Sequence, residues 1–322
     1  MKHFSGIMHA YALSLLTQRQ LIVDMNEPCN FSKIFAPNKV NWLPSQHNFS
    51  KQTYIRLNCL SIKTRKACAY ENVKRLGEDL VYFRSTDHAA DIFYDEENSE
   101  TKRLLKKIEK DILNIGVVKR IQDFTLKNLF HIWYKDLFRL EASLETKYNH
   151  IKQQAYLNHG NMIIYCAQIR IGGQRANVAN DARFNQRNVT KLFWQFIRNN
   201  FIRNESSAND NWKLFVTSDL EEVEMEAISE FGIDKVIRID GINSHLGREK
   251  HLSNDCTRVE KPILDFHFLQ NCDKAVISKS GFGQLATWNR EKPDKDMHVL
   301  GTNWREFDPD WIQRVKQAKK TA

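Results

Sequence analysis

Residues 161–175 read NMIIYCAQIRIGGQR, and this stretch decides the fold. Residues 162–169 are apolar and β-prone, which is the composition of a strand buried on both faces. The strand pattern ends at Arg170, and Gly172 and Gly173 then break it. Open α/β sheets form anion sites in this way: a charged guanidinium lies at the carboxyl end of a strand, and a ligand can closely approach the backbone that follows. The alternative is a core strand whose terminal arginine is only solvated.

The sequence after residue 160 alternates between strand and helix patterns. The expected strands cover residues 162–169, 213–217, 235–239, 275–278 and 298–300, with helices between them. Such alternation predicts βαβ units and a parallel sheet. We therefore expect a domain boundary near residue 158, which gives one domain at 1–158 and a second at 159–322.

The N-terminal region has a different pattern. Residues 7–16 predict a helix and residues 19–25 (RQLIVDM) predict a strand. Since a helix of an α/β domain normally follows a strand, we expect the first strand of this domain to be missing. Apolar residues that recur every three to four positions from 126 to 155 predict one long helix whose stripe packs in the core.

Composition limits the class of protein. The chain has 322 residues, 42% hydrophobic and 27% charged, as is usual for globular proteins of about two domains. Its net charge of +9 favours anionic partners. Basic residues are dispersed among acidic ones and no nucleic-acid-binding motif is present, so we do not expect nucleic acid as a partner. No apolar run approaches the roughly 18 residues of a membrane segment.

The six cysteines show no metal-binding spacing, so the sequence predicts no metal site. An even count permits disulfides, but Cys166 lies inside the predicted buried strand and is expected to be a packed thiol. Glycosylation sequons at Asn30, Asn48, Asn188 and Asn204 are compatible with a secretory lumen.

A small-residue turn, SKSGFG at 278–283, follows the predicted strand at 275–278 and precedes a helix. Backbone N–H groups at such a helix start form a cradle for pyrophosphate. Parallel strands bring this turn to the same sheet edge as Arg170 and Asp219, which closes the strand at 213–217. The three strand ends together predict a phosphate site.

At this point the sequence resembles the α-1,6- and α-1,2-fucosyltransferase superfamily. The segment LDFHFLQNCD at 264–273, followed by a strand and a Ser/Gly turn, carries the resemblance. The Arg170 strand is similar to that family's His-x-Arg-x-Gly/Thr-Asp motif, and LFVTSD at 214–219 is similar to its strand ending in Thr/Ser-Asp. Residues 15–23 and 130–140 resemble its N-terminal helix–strand and its W-x-x-L-F helix, so the resemblance spans nearly the whole chain.

The resemblance implies a fold and an activity. It implies an α/β, two-domain, GT-B-like protein with a C-terminal Rossmann-like parallel sheet at 159–322 that binds the nucleotide sugar. Residues 1–158 would form an acceptor-side α/β and helical domain that lacks its first strand. It implies an inverting, metal-independent transferase without a cofactor, whose partners are GDP-fucose and a glycan acceptor. It also implies the Golgi lumen; without the resemblance, the lack of a signal or anchor would indicate the cytoplasm.

The same resemblance assigns residues to the donor. Arg170, the catalytic residue, would pair with the β-phosphate, while the backbone and hydroxyls around Ser280, Gly281 and Phe282 hold the pyrophosphate. Asp265 would accept hydrogen bonds from guanine. The remaining predicted donor contacts are Gln168, Gly172, Gly173, Arg175, Asp219 and Ser278.

Departures from the family pattern leave alternatives open. Gln168 stands where the family has histidine, and Gly173 replaces the motif's acid. The family's glycine-rich first loop has no counterpart in residues 1–6, so we expect a truncated or impaired enzyme. The function alternatives are a GT-B enzyme for another nucleotide sugar, and a non-catalytic nucleotide- or glycan-binding relative.

The candidate residues also have structural interpretations. Arg170 can be a surface or structural arginine, and Asp265 can be simply solvated or serve in a salt bridge. Ser280 can be only a helix cap, and Asp219 is expected to be the N-cap of the following helix. His267 is expected to be a packed or surface histidine rather than a base.

Overall fold

The computed structural model describes residues 2–25, 29–44, 53–58, 73, 75–78, 80–84, 106, 110, 126–156, 162–172, 189–203, 211–243, 256–290 and 296–300. The chain forms two compact units, residues 1–141 with 250–256 and residues 142–249 with 257–322. The predicted boundary at 158/159 falls at 157–161, outside the described residues, and stays a prediction.

In the part of the first unit that the structure describes, two helices are combined with two small sheets. Strand β1 pairs with β4 in antiparallel fashion, and β2 pairs with β3 in parallel fashion. In chain order its elements are α1 (Lys2–Thr17), a 3₁₀ turn (Phe31–Lys33), β1 (Phe35–Pro37), β2 (Tyr54–Asn58), β3 (Leu80–Arg84), α2 (Leu126–Leu137) and β4 (Phe138–Leu140).

Aromatic rings from several elements form the core of this unit. Phe31 and Phe35 have ring centroids 4.8 Å apart, and Phe138 lies 5.5 Å from each of them. Trp42 is fully buried, and its indole N–H donates to the Leu137 carbonyl at 2.6 Å. Burial of such rings is worth several kcal/mol in total, of order 1.5–3 kcal/mol for each large side chain.

Two expectations for the first unit are wrong. Residues 19–25 form no strand: Val23 N–H donates to the Trp42 carbonyl, and the Arg19 guanidinium donates to the carbonyls of Leu76 and Glu78. The apolar residues of this segment are buried without a strand partner among the described residues, so its composition reflects burial. The single helix expected from 126 to 155 is interrupted, because residues 138–140 leave the helix to pair with β1.

The second unit is a five-stranded, fully parallel sheet with helices between its strands. The strand order is β7-β6-β5-β8-β9. Its elements are α3 (Ala142–Tyr156), β5 (Ile163–Ile169), α4 (Thr190–Phe196) continued by a π-helix (Ile197–Ile202), β6 (Trp212–Ser218), α5 (Glu221–Phe231), β7 (Val236–Ile237), α6 (Thr257–Phe268) with a 3₁₀ turn (Leu269–Asn271), β8 (Lys274–Ser278), α7 (Gly281–Trp288) and β9 (Met297–Leu300). The predicted alternation and parallel sheet are confirmed.

The two faces of β5 have different neighbours. Tyr165, Ala167 and Ile169 belong to a buried cluster with residues of α4 and α5. Cys166 and Gln168 lie on the opposite face, because successive side chains of a strand alternate. None of the described helices is long and apolar enough to span a membrane.

Two disulfides are described, and one of them corrects an expectation. Cys166 pairs with Cys272, which precedes β8, with their Cα atoms 5.7 Å apart. The expected packed thiol is therefore wrong: the parallel pairing of β5 with β8 brings together two cysteines 106 residues apart in sequence. The second disulfide joins Cys29 to Cys256 within the first unit.

Candidate functional site at the carboxyl edge of the parallel sheet

The strand order reverses direction beside β5. From β5 the chain builds outward to β6 and β7, and it then crosses to the other side of β5 to form β8 and β9. Ligands of open α/β sheets bind at the carboxyl ends of the strands at such a reversal, because the connecting helices diverge there and leave a crevice. The ends of β5, β6 and β8 carry the residues that the sequence singles out.

The loop that follows β5 is held from both sides. The Asp219 carboxylate accepts hydrogen bonds from Ile171 N–H at 2.8 Å and Gly172 N–H at 2.9 Å. On the other side, Arg170 N–H donates to Ser278 Oγ at 2.9 Å. Gly172 has φ of 111°, a conformation that favours glycine. The backbone that carries Arg170 is therefore fixed by the ends of both neighbouring strands.

Asp219 does not cap the following helix. The N-cap of α5 is Leu220, which makes no side-chain capping hydrogen bond. The capping interpretation of Asp219 is wrong, because both carboxylate oxygens are used by the loop after β5. Sequence alone could not distinguish the two roles, since an aspartate directly after a strand serves either one.

The start of α7 lies directly against β5. Ser280 is its N-cap: Ser280 Oγ accepts from Gly283 N–H at 3.2 Å and donates to Gln168 Oε1 at 2.9 Å. A Cβ on Gly283 would come 2.5 Å from Gln168 Oε1, so glycine permits this close packing. The first amides of α7, at Gly281 and Phe282, have no carbonyl partner within the helix, and the helix dipole makes this end attractive to anions.

The predicted donor residues divide into two groups. Gln168, Ser278 and Ser280 are buried, and Asp219 is half-buried; all four hold the backbone in place. Arg170, Gly172 and Phe282 are partly exposed, and Gly281 is exposed, so these residues line the accessible surface. Gly173 and Arg175 lie outside the described residues. Whether any of these residues contacts a donor stays a prediction.

Asp265 lies in a buried ionic network. Its Oδ2 accepts from Thr217 Oγ1 at 2.8 Å and from Lys261 Nζ at 2.9 Å. Lys261 Nζ also lies 2.9 Å from Glu224 Oε1. Asp265 is 3% exposed, and its Oδ1 is buried without a hydrogen-bond partner. The salt-bridge interpretation of Asp265 is confirmed, and a contact with guanine would require this carboxylate to become accessible.

Burial sets the protonation of this network. It raises the pKa of Glu224 to about 7, an effect that Lys261 opposes and the Asp265 carboxylate reinforces. Burial also raises the pKa of Asp265 against the opposing effect of Lys261. Although burial lowers the pKa of Lys261, the carboxylates of Asp265 and Glu224 raise it above its ordinary value. The network therefore holds a charged lysine between two carboxyl groups that compete for protons.

His267 is a packed residue, as expected. Its ring lies 5.8 Å from that of Tyr148, and burial lowers its pKa to about 3, so the imidazole is neutral. Among the described residues, no group of three His, Cys, Asp or Glu side chains could hold a metal ion.

Sequence reasoning missed Lys261 and Glu224. A signal was present, because both are charged residues at buried helix positions, and Lys261 precedes Asp265 by one helical turn. A lysine four residues before an aspartate usually marks a solvated pair. In this protein the pair is buried against the end of β6, and the spacing of the two residues in the sequence does not reveal that burial.

The fold of this chain is similar to the folds of solved structures. A mutant of Arabidopsis thaliana FUT1 in complex with GDP matches with a TM-score of 0.60 and 13% identity, over 93% of this chain and 67% of that one. NodZ alpha-1,6-fucosyltransferase co-crystallized with GDP matches with a TM-score of 0.50 and 10% identity, over 96% of this chain and 94% of that one. No family sequence model and no curated protein sequence matches.

These likenesses define the class of fold. The chain is an α/β protein of GT-B-like form with a Rossmann-like parallel sheet, and its fold is fucosyltransferase-like. At this level of identity the likeness concerns the fold, and function is argued from the site.

Proposed function

We propose that this chain is a glycosyltransferase that transfers fucose from GDP-fucose to a hydroxyl group of a glycan with inversion. The observation that carries the proposal is the double attachment of the loop after β5, to Asp219 on one side and Ser278 on the other. This attachment fixes Arg170 at the point where the strand order reverses. The fucosyltransferase-like fold supports the same assignment.

The donor diphosphate is the group that the site fits. A guanidinium matches phosphate oxygens in a two-pronged geometry, and helix N-terminal amides add fixed positive charge. In this proposal Arg170 pairs with the β-phosphate, and the amides of Gly281 and Phe282 bind the pyrophosphate. Gly173 and Arg175 would also contact the donor, and Asp265 would accept from guanine after its carboxylate becomes accessible.

The transfer step breaks one bond and forms another. The oxygen of an acceptor hydroxyl attacks C1 of fucose from the face opposite the diphosphate, and the bond between C1 and the β-phosphate oxygen breaks. GDP leaves with the electron pair, and the hydroxyl proton passes to a base. Arg170 would stabilise the negative charge that grows on the leaving phosphate, which is where electrostatic catalysis has its largest effect. We propose that no metal takes part.

We propose that the protein acts in the Golgi lumen. Disulfides persist in oxidising compartments, and two are formed within the described residues. They support an oxidising compartment, which the Golgi assignment requires.

Thermal stabilisation by nucleotides tests the donor. We expect GDP to raise the melting temperature more than UDP does, and Arg170→Ala to weaken GDP binding by at least about tenfold through loss of a charged hydrogen bond. Arg198→Ala is the matched control, since Arg198 is paired with Glu230 on the surface of the same unit. If GDP stabilises the Arg170→Ala variant as well as the parent, Arg170 is not in the site.

The same measurements separate the alternatives. Equal stabilisation by GDP and UDP would favour a GT-B enzyme for another nucleotide sugar, the possibility that Gln168 raises by replacing the family's histidine. GDP binding with neither donor hydrolysis nor transfer to glycans would favour a non-catalytic relative.

A further inference from the structure

The buried network beneath the end of β6 includes a lysine that the proposed donor site does not use. Lys261 is 2% exposed, and its ammonium lies 2.9 Å from both Glu224 Oε1 and Asp265 Oδ2. The backbone after β7 covers it: at Gly241, where φ is 142°, an added Cβ would come 2.9 Å from Lys261 Cβ. An uncompensated buried charge is costly, and both carboxylates pair with this ammonium.

Both of these carboxylates hold the last residues of β6. Asp265 accepts the Thr217 hydroxyl at 2.8 Å, and Glu224 accepts the Ser218 backbone N–H at 3.3 Å. The next residue is Asp219, whose carboxylate holds the amides of the loop after β5. Two sets of hydrogen bonds, joined by the peptide bond between Ser218 and Asp219, therefore connect the Lys261 ammonium to the backbone beside Arg170.

We propose that Lys261 is a positioning residue for the diphosphate site: by holding Glu224 and Asp265 together, it fixes the end of β6 and hence the loop that Asp219 binds. This inference rests on the proposed function only for the identity of the ligand. The positional link itself is independent of the ligand.

Charge balance explains why removal of the Lys261 ammonium should affect the loop after β5. Two carboxyl groups share one ammonium, and Asp265 Oδ1 has no hydrogen-bond partner among the described residues. Without the cation, these buried groups must take up protons or draw in water, because an uncompensated buried charge is unstable. Either response changes their bonds to Thr217 and Ser218. The loop after β5 then loses its fixed geometry.

Lys261→Met tests the link, because methionine keeps the apolar stem and removes the charge. The matched control is Leu214→Ala, which opens a cavity in the amino half of β6 at a fully buried position without touching the network. Hydrogen exchange of the Ile171 and Gly172 amides is compared at matched losses of global stability. We expect exchange at least about tenfold faster in Lys261→Met than in Leu214→Ala, with GDP affinity lower by a similar factor. Equal exchange in the two variants overturns the proposal.

Thr217→Val keeps the test valid if Lys261→Met does not fold. Valine matches the shape of threonine and suits a strand, but it breaks the hydrogen bond to Asp265. We expect faster exchange of the same two amides. Where Lys261→Met does fold, the effects of Thr217→Val and Lys261→Met should not add, since both act through the same contacts. Unchanged exchange in Thr217→Val overturns the link. A parent protein that binds no GDP overturns the proposed function instead, and hydrogen exchange then decides the positional link alone.

Discussion

At the residue scale, most of the polar side chains at the sheet's carboxyl edge form hydrogen bonds within the protein. Asp219, Ser278 and Ser280 each bond a backbone amide, and Gln168 accepts the Ser280 hydroxyl. Arg170 is partly exposed, and its backbone is held by this arrangement. A site of this design uses its polar side chains for preorganisation, so that contacts with a charged ligand need little rearrangement.

Glu224 gives a pH-dependent prediction at this scale. Because burial raises its pKa to about 7, the folded state retains a proton that the unfolded state releases near pH 4.5. Stability of the parent therefore falls as pH rises through this window, and the raised pKa of Asp265 acts in the same direction. The raised pKa of Lys261 affects stability only at high pH, so it does not contribute to the pH dependence in this window. Glu224→Gln removes the titration, so its stability relative to the parent should increase from about pH 5 to about pH 7 and then level off.

Urea denaturation at a series of pH values checks this expectation. Glu222→Gln is the control, since Glu222 is exposed on the same helix. A stability difference between Glu224→Gln and the parent that stays constant across the window would contradict the assignment of the buried proton to this network.

At the element scale, the packing of α7 against β5 depends on one glycine. A Cβ at Gly283 would lie 2.5 Å from Gln168 Oε1 and 3.2 Å from Ile277 Cβ, whereas a Cβ at Gly281 would meet nothing within 4 Å. Overpacking of this kind costs about 1–3 kcal/mol. We expect Gly283→Ala to lose about that much stability, and Gly281→Ala to stay within about 0.5 kcal/mol of the parent.

The two alanine variants make a matched pair, because they change the same residue type in the same turn of the same helix. The urea midpoint at constant slope measures each stability change. If Gly283→Ala were as stable as Gly281→Ala, the close approach of α7 to β5 would not exist in solution.

Elements with a strong local pattern were predictable from sequence. The strands β5, β6 and β8 are apolar runs bounded by polar turns, and their alternation with helices implied a parallel sheet. Residues 19–25 show the limit of such prediction. They have a strand's composition, but Val23 N–H donates to the Trp42 carbonyl, and Arg19 donates to the carbonyls of Leu76 and Glu78. Which carbonyls such a segment meets depends on long-range packing, which local composition does not encode.

The candidate site was predictable to a similar extent. Arg170 and the turn at 278–283 lie at one sheet edge, as expected, because parallel strands place their carboxyl ends together. The role of Asp219 and the network of Lys261 were not predictable. Both depend on hydrogen bonds of side chains with groups 37 to 48 residues away, as in Lys261–Glu224 and Ile171–Asp219.

At the scale of the whole molecule, the disulfides link distant parts of the chain. Cys166–Cys272 closes a loop with a sequence separation of 106 residues, and Cys29–Cys256 one of 227 residues. Such links stabilise mainly by restricting the unfolded chain, by roughly 4–5 kcal/mol for a loop of about 100 residues in the chain-entropy account. A chain with a dispersed net charge of +9 gains from covalent links, because like charges repel in the compact state.

The Cys166–Cys272 pair provides the prediction at this scale. Both residues are buried, so the Cys166→Ala/Cys272→Ala variant should lose about 2–5 kcal/mol of unfolding free energy without a change of fold. Urea denaturation in non-reducing buffer measures the loss, and circular dichroism checks the fold. As a control, the parent refolded with reductant should be less stable than the variant in non-reducing buffer, because reductant also opens Cys29–Cys256. The variant and the oxidised parent would unfold at the same urea concentration if no disulfide formed. Cys166 would then be the packed, unpaired thiol that its place in a buried strand first indicated. That result would also remove one of the two disulfides that support an oxidising compartment.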